Sequence, residues 1–241
     1  MELVLKLYAN GFFSYIIEKS SGNFALVALI AGILVCAVIG YFLGSLNFAL
    51  ILSGRMYNDD IRKHGSKNAG TTNMMRIYGN KAAGLTILGD MLKAVVAVVA
   101  GSFVSGHMIG GYAAALGCVI GHVFPVYYGF KGGKGVATAA AAILMLNYQT
   151  FFIVVGVFLV VVLFSRYISL GSVLAAAIFP LLTFYSYHNK NMVVFGGSFA
   201  FFCAFLMAVL VIAKHHENLL RLANGSESKF AFKKSKKTND K

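Results

Sequence analysis

Charge is scarce in this 241-residue chain: acidic and basic residues together make up 12% of it, against 59% hydrophobic residues and a mean hydropathy of +0.76. Such scarcity excludes an ordinary soluble domain and identifies an integral membrane protein. Acid is scarcer still, with eight Asp and Glu against 21 Lys and Arg and a formal net charge of +13. A surplus of this sign attracts nucleic acid, anionic lipid or phosphorylated molecules. The long apolar runs favour membrane lipid and phosphorylated substrates as partners, and no nucleic acid is expected. Cysteine is limited to Cys36, Cys118 and Cys203, each inside an apolar run and without paired spacing, which argues against a disulfide framework and a zinc site. There is no H-E-x-x-H pair and no carboxylate cluster, so neither a metal nor a cofactor is expected. At the N-terminus Glu2 comes early and no basic stretch precedes an apolar core, so no cleavable signal peptide is expected.

What the chain has in abundance is apolar helix. Residues 1–24 mix apolar and charged positions, with Lys6 and Asn10 interrupting them, and are expected to form an interfacial extension. Apolar runs follow at about 25–52, 82–104, 108–130, 136–147, 151–165, 169–187 and 192–213. The fold expected is therefore all-α, a seven-transmembrane-helix bundle occupying residues 25–223, with a basic flexible tail over 224–241. The run 136–147 falls short of the roughly 20 residues a bilayer core requires, so fusion with its neighbour into one helix is the alternative. Loop charge separates the two. With seven spans, one side collects Arg55, Arg62, Lys63, Lys67, Arg76, Lys81, Lys131, Lys134, Arg166 and the basic tail, and the other only Lys6, Lys19 and Lys190. Short cytoplasmic loops accumulate Lys and Arg, which places the N-terminus outside, the tail in the cytoplasm and every motif-bearing loop on one cytoplasmic face.

Those loops carry the chemistry. Gly121–Thr138, GHVFPVYYGFKGGKGVAT, breaks from an apolar run into Gly129, Gly132, Gly133 and Gly135 with Lys131 and Lys134, then turns apolar again. Glycines let successive amides turn on one anion, the lysines add charge, and a helix starting at Val136 adds its N-terminal dipole, together a phosphate cradle. A tight turn between membrane helices with snorkelling lysines is the competing reading, and the spacing is not that of a nucleotide P-loop. The first polar loop, DDIRKHGSKNAGTTN from Asp59 followed by Arg76, offers Ser66, Asn68, Thr71, Thr72 and Asn73 to a polyoxygen ligand, and Arg76 suits bidentate phosphate binding. A polar connection whose small residues only make turns is the alternative. Asp90 and Lys93, three apart inside a span, are expected to pair structurally. Ser169 follows Arg166 in SRYISL, and KHHEN at 214–218 supplies His215 as a general base and Asn218 as a donor. A transporter or channel for an anionic metabolite would use the same loops as a mouth. It would also need polar residues continuing through the spans, and only Asp90 and Lys93 interrupt them.

Taken together, GSKNAGTTN with Arg76, DMLK at 90–93, GHVFP and GFKGGKGVAT, RYISL and KHHENLLRL resemble the PlsY family, membrane acyltransferases that use acyl phosphate. The resemblance runs from about Gly40 to Arg221. It implies a seven-helix enzyme that moves a fatty acyl group from acyl phosphate to the sn-1 hydroxyl of glycerol 3-phosphate, giving lysophosphatidate and phosphate without a coenzyme A donor. It also implies a plasma-membrane location. By the same resemblance Lys134, Ser66, His215 and Asn218 are catalytic, and Asn68, Thr72, Asn73, Arg76, Gly132, Gly133, Gly135, Thr138 and Ser169 bind substrate. The chain departs from the family's pattern at Lys67, where glycine is usual, at Thr71, where alanine is usual, and at Asn47, near a usual proline.

Overall fold

The computed structural model describes residues 11–12, 23–188 and 194–230, and every regular element among them is helical. Of the extension expected over 1–24, all but residues 11–12 and 23–24 lie outside the described residues, and 23–24 open the first helix. In chain order the helices are α1 (Asn23–Gly44), α2 (Phe48–Tyr57), α3 (Thr71–Tyr78), α4 (Asn80–Ser105) and α5 (Gly111–Val123). They continue as α6 (Val136–Leu146), α7 (Tyr148–Ser165), α8 (Ile168–His188), α9 (Val194–Lys214) and α10 (His216–Ala223). Among the described residues, six stretches are long and apolar enough to cross a membrane: Asn23–Tyr57, Asn80–Ser105, Met108–Tyr128, Tyr148–Ser165, Ile168–His188 and Gly196–Lys214. The seventh, α6, has 11 residues, which at about 1.5 Å each covers roughly half of a ~30 Å hydrocarbon core. It is not fused to α7. Asn147 stands between them in an extended conformation and caps α7, its Oδ1 accepting from the Thr150 N–H at 3.0 Å.

Helix α1 shows how such a chain packs. It turns Phe24, Leu26, Ile30, Leu34, Val38 and Phe42 outward and buries Ala28, Gly32, Cys36, Gly40 and Gly44, the inverse of a soluble helix. In lipid, large apolar side chains gain nothing by turning inward, and helices associate where small residues let backbones touch. The α1–α5 contact is of that kind. A methyl group added at Gly40 or Gly44 would lie 2.1 Å from the carbonyl of Ala114 or Cys118, and one added at Gly117 or Gly121 would lie 2.1 Å from that of Ala37 or Tyr41. α4 packs across α1, α5 and α6, and α8 lies between α7 and α9. The central core is correspondingly small-grained, including Ala94, Ala97, Ala115, Cys118, Ala141, Ala142, Ala200 and Cys203.

The first span differs from the run expected over 25–52. α1 stops at Gly44, and α2 begins at Phe48 with Asn47 as its cap, the Asn47 Oδ1 accepting from the Leu50 N–H at 3.1 Å. The carbonyls of Gly44 and Leu46, freed at the break, accept from the Lys93 ammonium at 2.9 and 2.8 Å. A charge brought from another helix therefore ends α1 where hydropathy alone continues it.

Candidate active site

The site is built on a buried polar knot. Asp90 and Lys93 pair across one turn of α4 at 2.8 Å, both almost fully buried, and Lys93 also donates to His122 Nδ1 at 2.9 Å from the end of α5. Because the ammonium only donates, Nδ1 is the acceptor and the ring proton belongs on Nε2. With the carbonyls of Gly44 and Leu46, the ammonium has four partners, so this ion pair is satisfied structurally, as the sequence leads one to expect. His122, near the end of its span that is expected to be cytosolic, thus hydrogen-bonds a neighbouring helix through Lys93.

The glycine loop folds back onto that knot. Gly132 N–H donates to Val123 O and Gly133 N–H to His122 O, each at 3.1 Å. This corrects the expectation that successive amides of the loop turn on one anion: the Gly132 and Gly133 amides are committed to the end of α5. Gly133 serves by lacking a side chain, since a methyl there would lie 2.2 Å from His122 Nε2 and 2.7 Å from Ala69 O. The missing side chain thus lets the first polar loop lie close against the glycine loop. Gly135 takes a left-handed conformation, φ 83°, and α6 starts directly after it with no side-chain cap. The first amide to bond back along this helix is that of Ala139, to Gly135 O at 2.8 Å, so the amides just before it keep the anion-attracting character of a helix start. One turn in, Thr138 is fully buried and its hydroxyl has no hydrogen-bond partner among the described residues.

The first polar loop is fastened from both ends. Arg62, paired with Asp60 at 2.8 Å, donates to the carbonyls of Tyr128 and Lys131 at 2.8 and 3.1 Å, and Asn47 Nδ2 donates to Ala69 O at 3.3 Å. Asn73 organises the interior: its Nδ2 donates to the carbonyls of Ile61, His64 and Asn68, and its Oδ1 accepts the Ser66 N–H at 3.0 Å. Its amide is therefore occupied within the loop, a different task from the substrate contact expected of it. Lys67 sits at φ 57°, in the left-handed region that glycine adopts most easily. Ser66, Thr72 and Arg76 are exposed on this loop and on α3, with Asn68 half-buried, and no bond joins their side chains to Lys134 among the described residues.

Lys134 gathers the other side of the site. It is half-buried and its ammonium donates to Asn218 Oδ1 on α10. Asn218 Nδ2 donates to Glu227 Oε1 at 2.6 Å, and Arg221 Nε donates to Glu227 Oε2 at 2.8 Å. Buried Ser169, at the start of α8, points its hydroxyl toward the same carboxylate without closing a bond of ordinary geometry. Burial pulls Lys134 down to about 8, with Glu227 opposing and Arg221 assisting the fall. Burial also works against the charged Glu227 carboxyl, but the bonds from Asn218 and Arg221 outweigh it and hold the group below its ordinary range.

His215, between α9 and α10, is buried, with Nδ1 placed 2.7 Å from Val211 O. A carbonyl only accepts, so Nδ1 carries the proton and Nε2 keeps its lone pair. Burial lowers the imidazole, the Val211 bond opposes, and the nearby Lys134 charge lowers it further, so the ring is neutral at neutral pH. Lys134, just before the start of α6, thus has Asn218 as a direct partner and His215 as an electrostatic neighbour, and Ser169 joins the group through Glu227. Sequence reasoning missed Arg221 and Glu227. The one available signal was an acid in a tail otherwise rich in lysine. An apolar cleft lined by Leu46, Phe48, Leu50, Ile51, Gly54, Arg55 and Tyr128 lies along α2 and meets the glycine loop only through Tyr128.

Residues 34–225 match the family model described as Glycerol-3-phosphate acyltransferase. Among similar proteins, the glycerol-3-phosphate acyltransferase of Syntrophomonas wolfei subsp. wolfei is 41% identical over 196 residues, covering 81% of this chain and 96% of that one. That of Mycoplasmopsis agalactiae is 40% identical over 228 residues, covering 82% and 94%. The crystal structure of PlsY (YgiH), an integral membrane glycerol 3-phosphate acyltransferase in its glycerol 3-phosphate form, superposes with a TM-score of 0.70 at 30% identity, covering 83% of this chain and 96% of that one.

Proposed function

The chain belongs to the glycerol-3-phosphate acyltransferase family, and from that membership we propose that it transfers a fatty acyl group from acyl phosphate to the sn-1 hydroxyl of glycerol 3-phosphate. The products are lysophosphatidate and orthophosphate. The observation that carries the reading is a desolvated, anchored cation beside a neutral histidine with one free nitrogen: Lys134 on Asn218, next to His215. Two phosphorylated substrates repel each other, and a cationic pocket at a helix start offsets that repulsion while orienting hydroxyl and acyl carbon.

The hydroxyl oxygen attacks the acyl carbonyl carbon, and its proton goes to His215 Nε2 or to a substrate phosphate oxygen. The tetrahedral oxyanion then collapses, breaking the bond to phosphate oxygen, and the leaving phosphate is stabilised by Lys134 and the amides entering α6. Thr138 and Ser169 supply hydroxyls, while Gly132, Gly133 and Asn73 shape the walls. Ser66 and Asn68 on the first polar loop, with Thr72 and Arg76 on α3, would meet the second phosphate. Acyl phosphate is already activated, so transfer is direct and Ser66 acts as a binding donor. No cofactor or metal takes part. The basic bias of the loops supports a cytoplasmic position for this face and an outside N-terminus, and an enzyme of this kind would work at the plasma membrane.

The test is to mix the purified protein with labelled acyl phosphate alone, quench it rapidly and measure intact mass. Unmodified protein is the expected result, and a kinetically competent acyl adduct on any residue overturns direct transfer. His215→Ala then separates the proton acceptors. A modest loss with an unchanged pH profile assigns the proton to phosphate, and near-abolition in folded protein assigns it to histidine.

A further inference from the structure

Building on the active-site reading above, we propose that Glu227 is a positioning residue: its carboxylate orients the Asn218 amide so that the carbonyl end faces Lys134. A carboxamide has two nearly isosteric ends, one accepting and one donating, and burial alone does not choose between them. Here both ends are specified. The Lys134 ammonium only donates and so requires Oδ1, whereas the ionised Glu227 carboxylate only accepts and so requires Nδ2, which it meets at 2.6 Å. The second carboxylate oxygen accepts from Arg221 Nε at 2.8 Å, which keeps the group from rotating away.

The backbone delivers this carboxylate deliberately. After α10 the chain turns back, with the amides of Ser226 and Glu227 donating to Arg221 O at 2.8 and 3.1 Å and that of Phe230 to Arg166 O at 2.7 Å. Lys229 lies over the Tyr167 ring at 5.8 Å, and the Glu227 side chain is only 10% exposed. The first residues of the tail therefore close over the site instead of leaving the bundle. Glu227 is also the leading counter-charge to Lys134. The other charged or titratable groups that face this lysine are Arg221 and Glu217 on α10, Lys214 at the end of α9, and His215 between them. Without Glu227 the cations outnumber the anions around a desolvated ammonium, and the Asn218 amide is free to flip its donors toward it.

Glu227→Gln separates orientation from bulk. Glutamine keeps the shape but has one accepting end where glutamate has two, so it cannot satisfy Arg221 and the Asn218 amino group together. The full-length protein in detergent is compared with Glu227→Gln and Glu227→Asp by thermal unfolding and by pH-dependent acetylation of Lys134 with acetic anhydride, read by mass spectrometry. Expected is a labelling midpoint for Lys134 about one unit lower in Glu227→Gln, with Glu227→Asp closer to the wild type. Kinetics should show a KM for glycerol 3-phosphate or acyl phosphate about tenfold higher. An unchanged midpoint overturns the proposal, as does a lower KM, which would mark the carboxylate as a competitor of phosphate. A tail that merely braces the fold would lower the unfolding temperature without moving the midpoint, which also overturns it. Because labelling needs no turnover, wild-type protein that transfers no acyl group refutes the functional reading separately and leaves the labelling comparison decisive.

Discussion

Lys134→Met is expected to yield a protein that is inactive yet more stable than the wild type at neutral pH. Burial lowers the lysine from an ordinary value of 10.5 to about 8, which means the folded state resists the charge that phosphate binding requires. A fall of about 2.5 units at ~1.36 kcal/mol each sets a ceiling near 3.4 kcal/mol; partial exposure and the lost bond to Asn218 reduce the expected gain to about 1–2 kcal/mol. The sign follows from linkage. With the folded value depressed, the lysine costs nothing above pH 10.5, its penalty grows as pH falls, and the penalty is complete below about 8. Thermal unfolding of both proteins in phosphate-free detergent solution, scanned from pH 7 upward, should show a gap of a few degrees in favour of methionine at pH 7 that closes toward 10.5. A wild type equal or superior at pH 7, or a gap indifferent to pH, would refute the reasoning. Either result would mean that Lys134 is solvated like a surface lysine.

Two further outcomes concern the knot beneath the site. Gly133→Ala places a methyl 2.2 Å from His122 Nε2 and 2.7 Å from Ala69 O, so it should destabilise by about 1–3 kcal/mol and remove most activity by forcing the two loops apart. Gly156→Ala, with nothing within 4 Å, is the control and should leave both properties intact. Lys93→Ala leaves the buried Asp90 without its cation, facing only the Phe48 amide at 3.4 Å and His122 at 3.5 Å, with an expected cost of about 3–5 kcal/mol by thermal unfolding. Replacing Asp90 and Lys93 together with apolar residues of similar size should recover much of that stability.

The parts of the fold that depend on local composition were legible in the sequence. The run of apolar helices, the separation of 136–147 from its neighbour and the Asp90–Lys93 pair all follow from hydropathy, loop charge and helical spacing. What escaped notice depends on residues distant in sequence. The break after Gly44 is set by Lys93 reaching carbonyls 49 and 47 positions away, and His122 joins that lysine across 29 positions, so no local window contains the cause. The glycine loop stands out in the sequence, but which of its amides remain for a ligand depends on where α5 ends, because the carbonyls of His122 and Val123 claim two of them. Asn73 and Asn68 look alike in a polar string, yet only the folded loop shows that Asn73 holds it together. Lys67 is instructive in the other direction: it holds a left-handed backbone that glycine adopts most easily, and bears the strain of a side chain there. Glu227 was hidden because a basic tail reads as solvated charge until its backbone is seen to turn back to Arg221.

The most direct test of the central claim is a product stoichiometry. Purified protein is given labelled acyl phosphate and glycerol 3-phosphate, with each omitted in turn and with acyl coenzyme A offered as a substitute donor. Sn-1 lysophosphatidate and orthophosphate should appear in equal amounts, only when both substrates are present and not from the thioester. Lysophosphatidate formed equally well from acyl coenzyme A, or phosphate released without matching lysophosphatidate, would contradict the account.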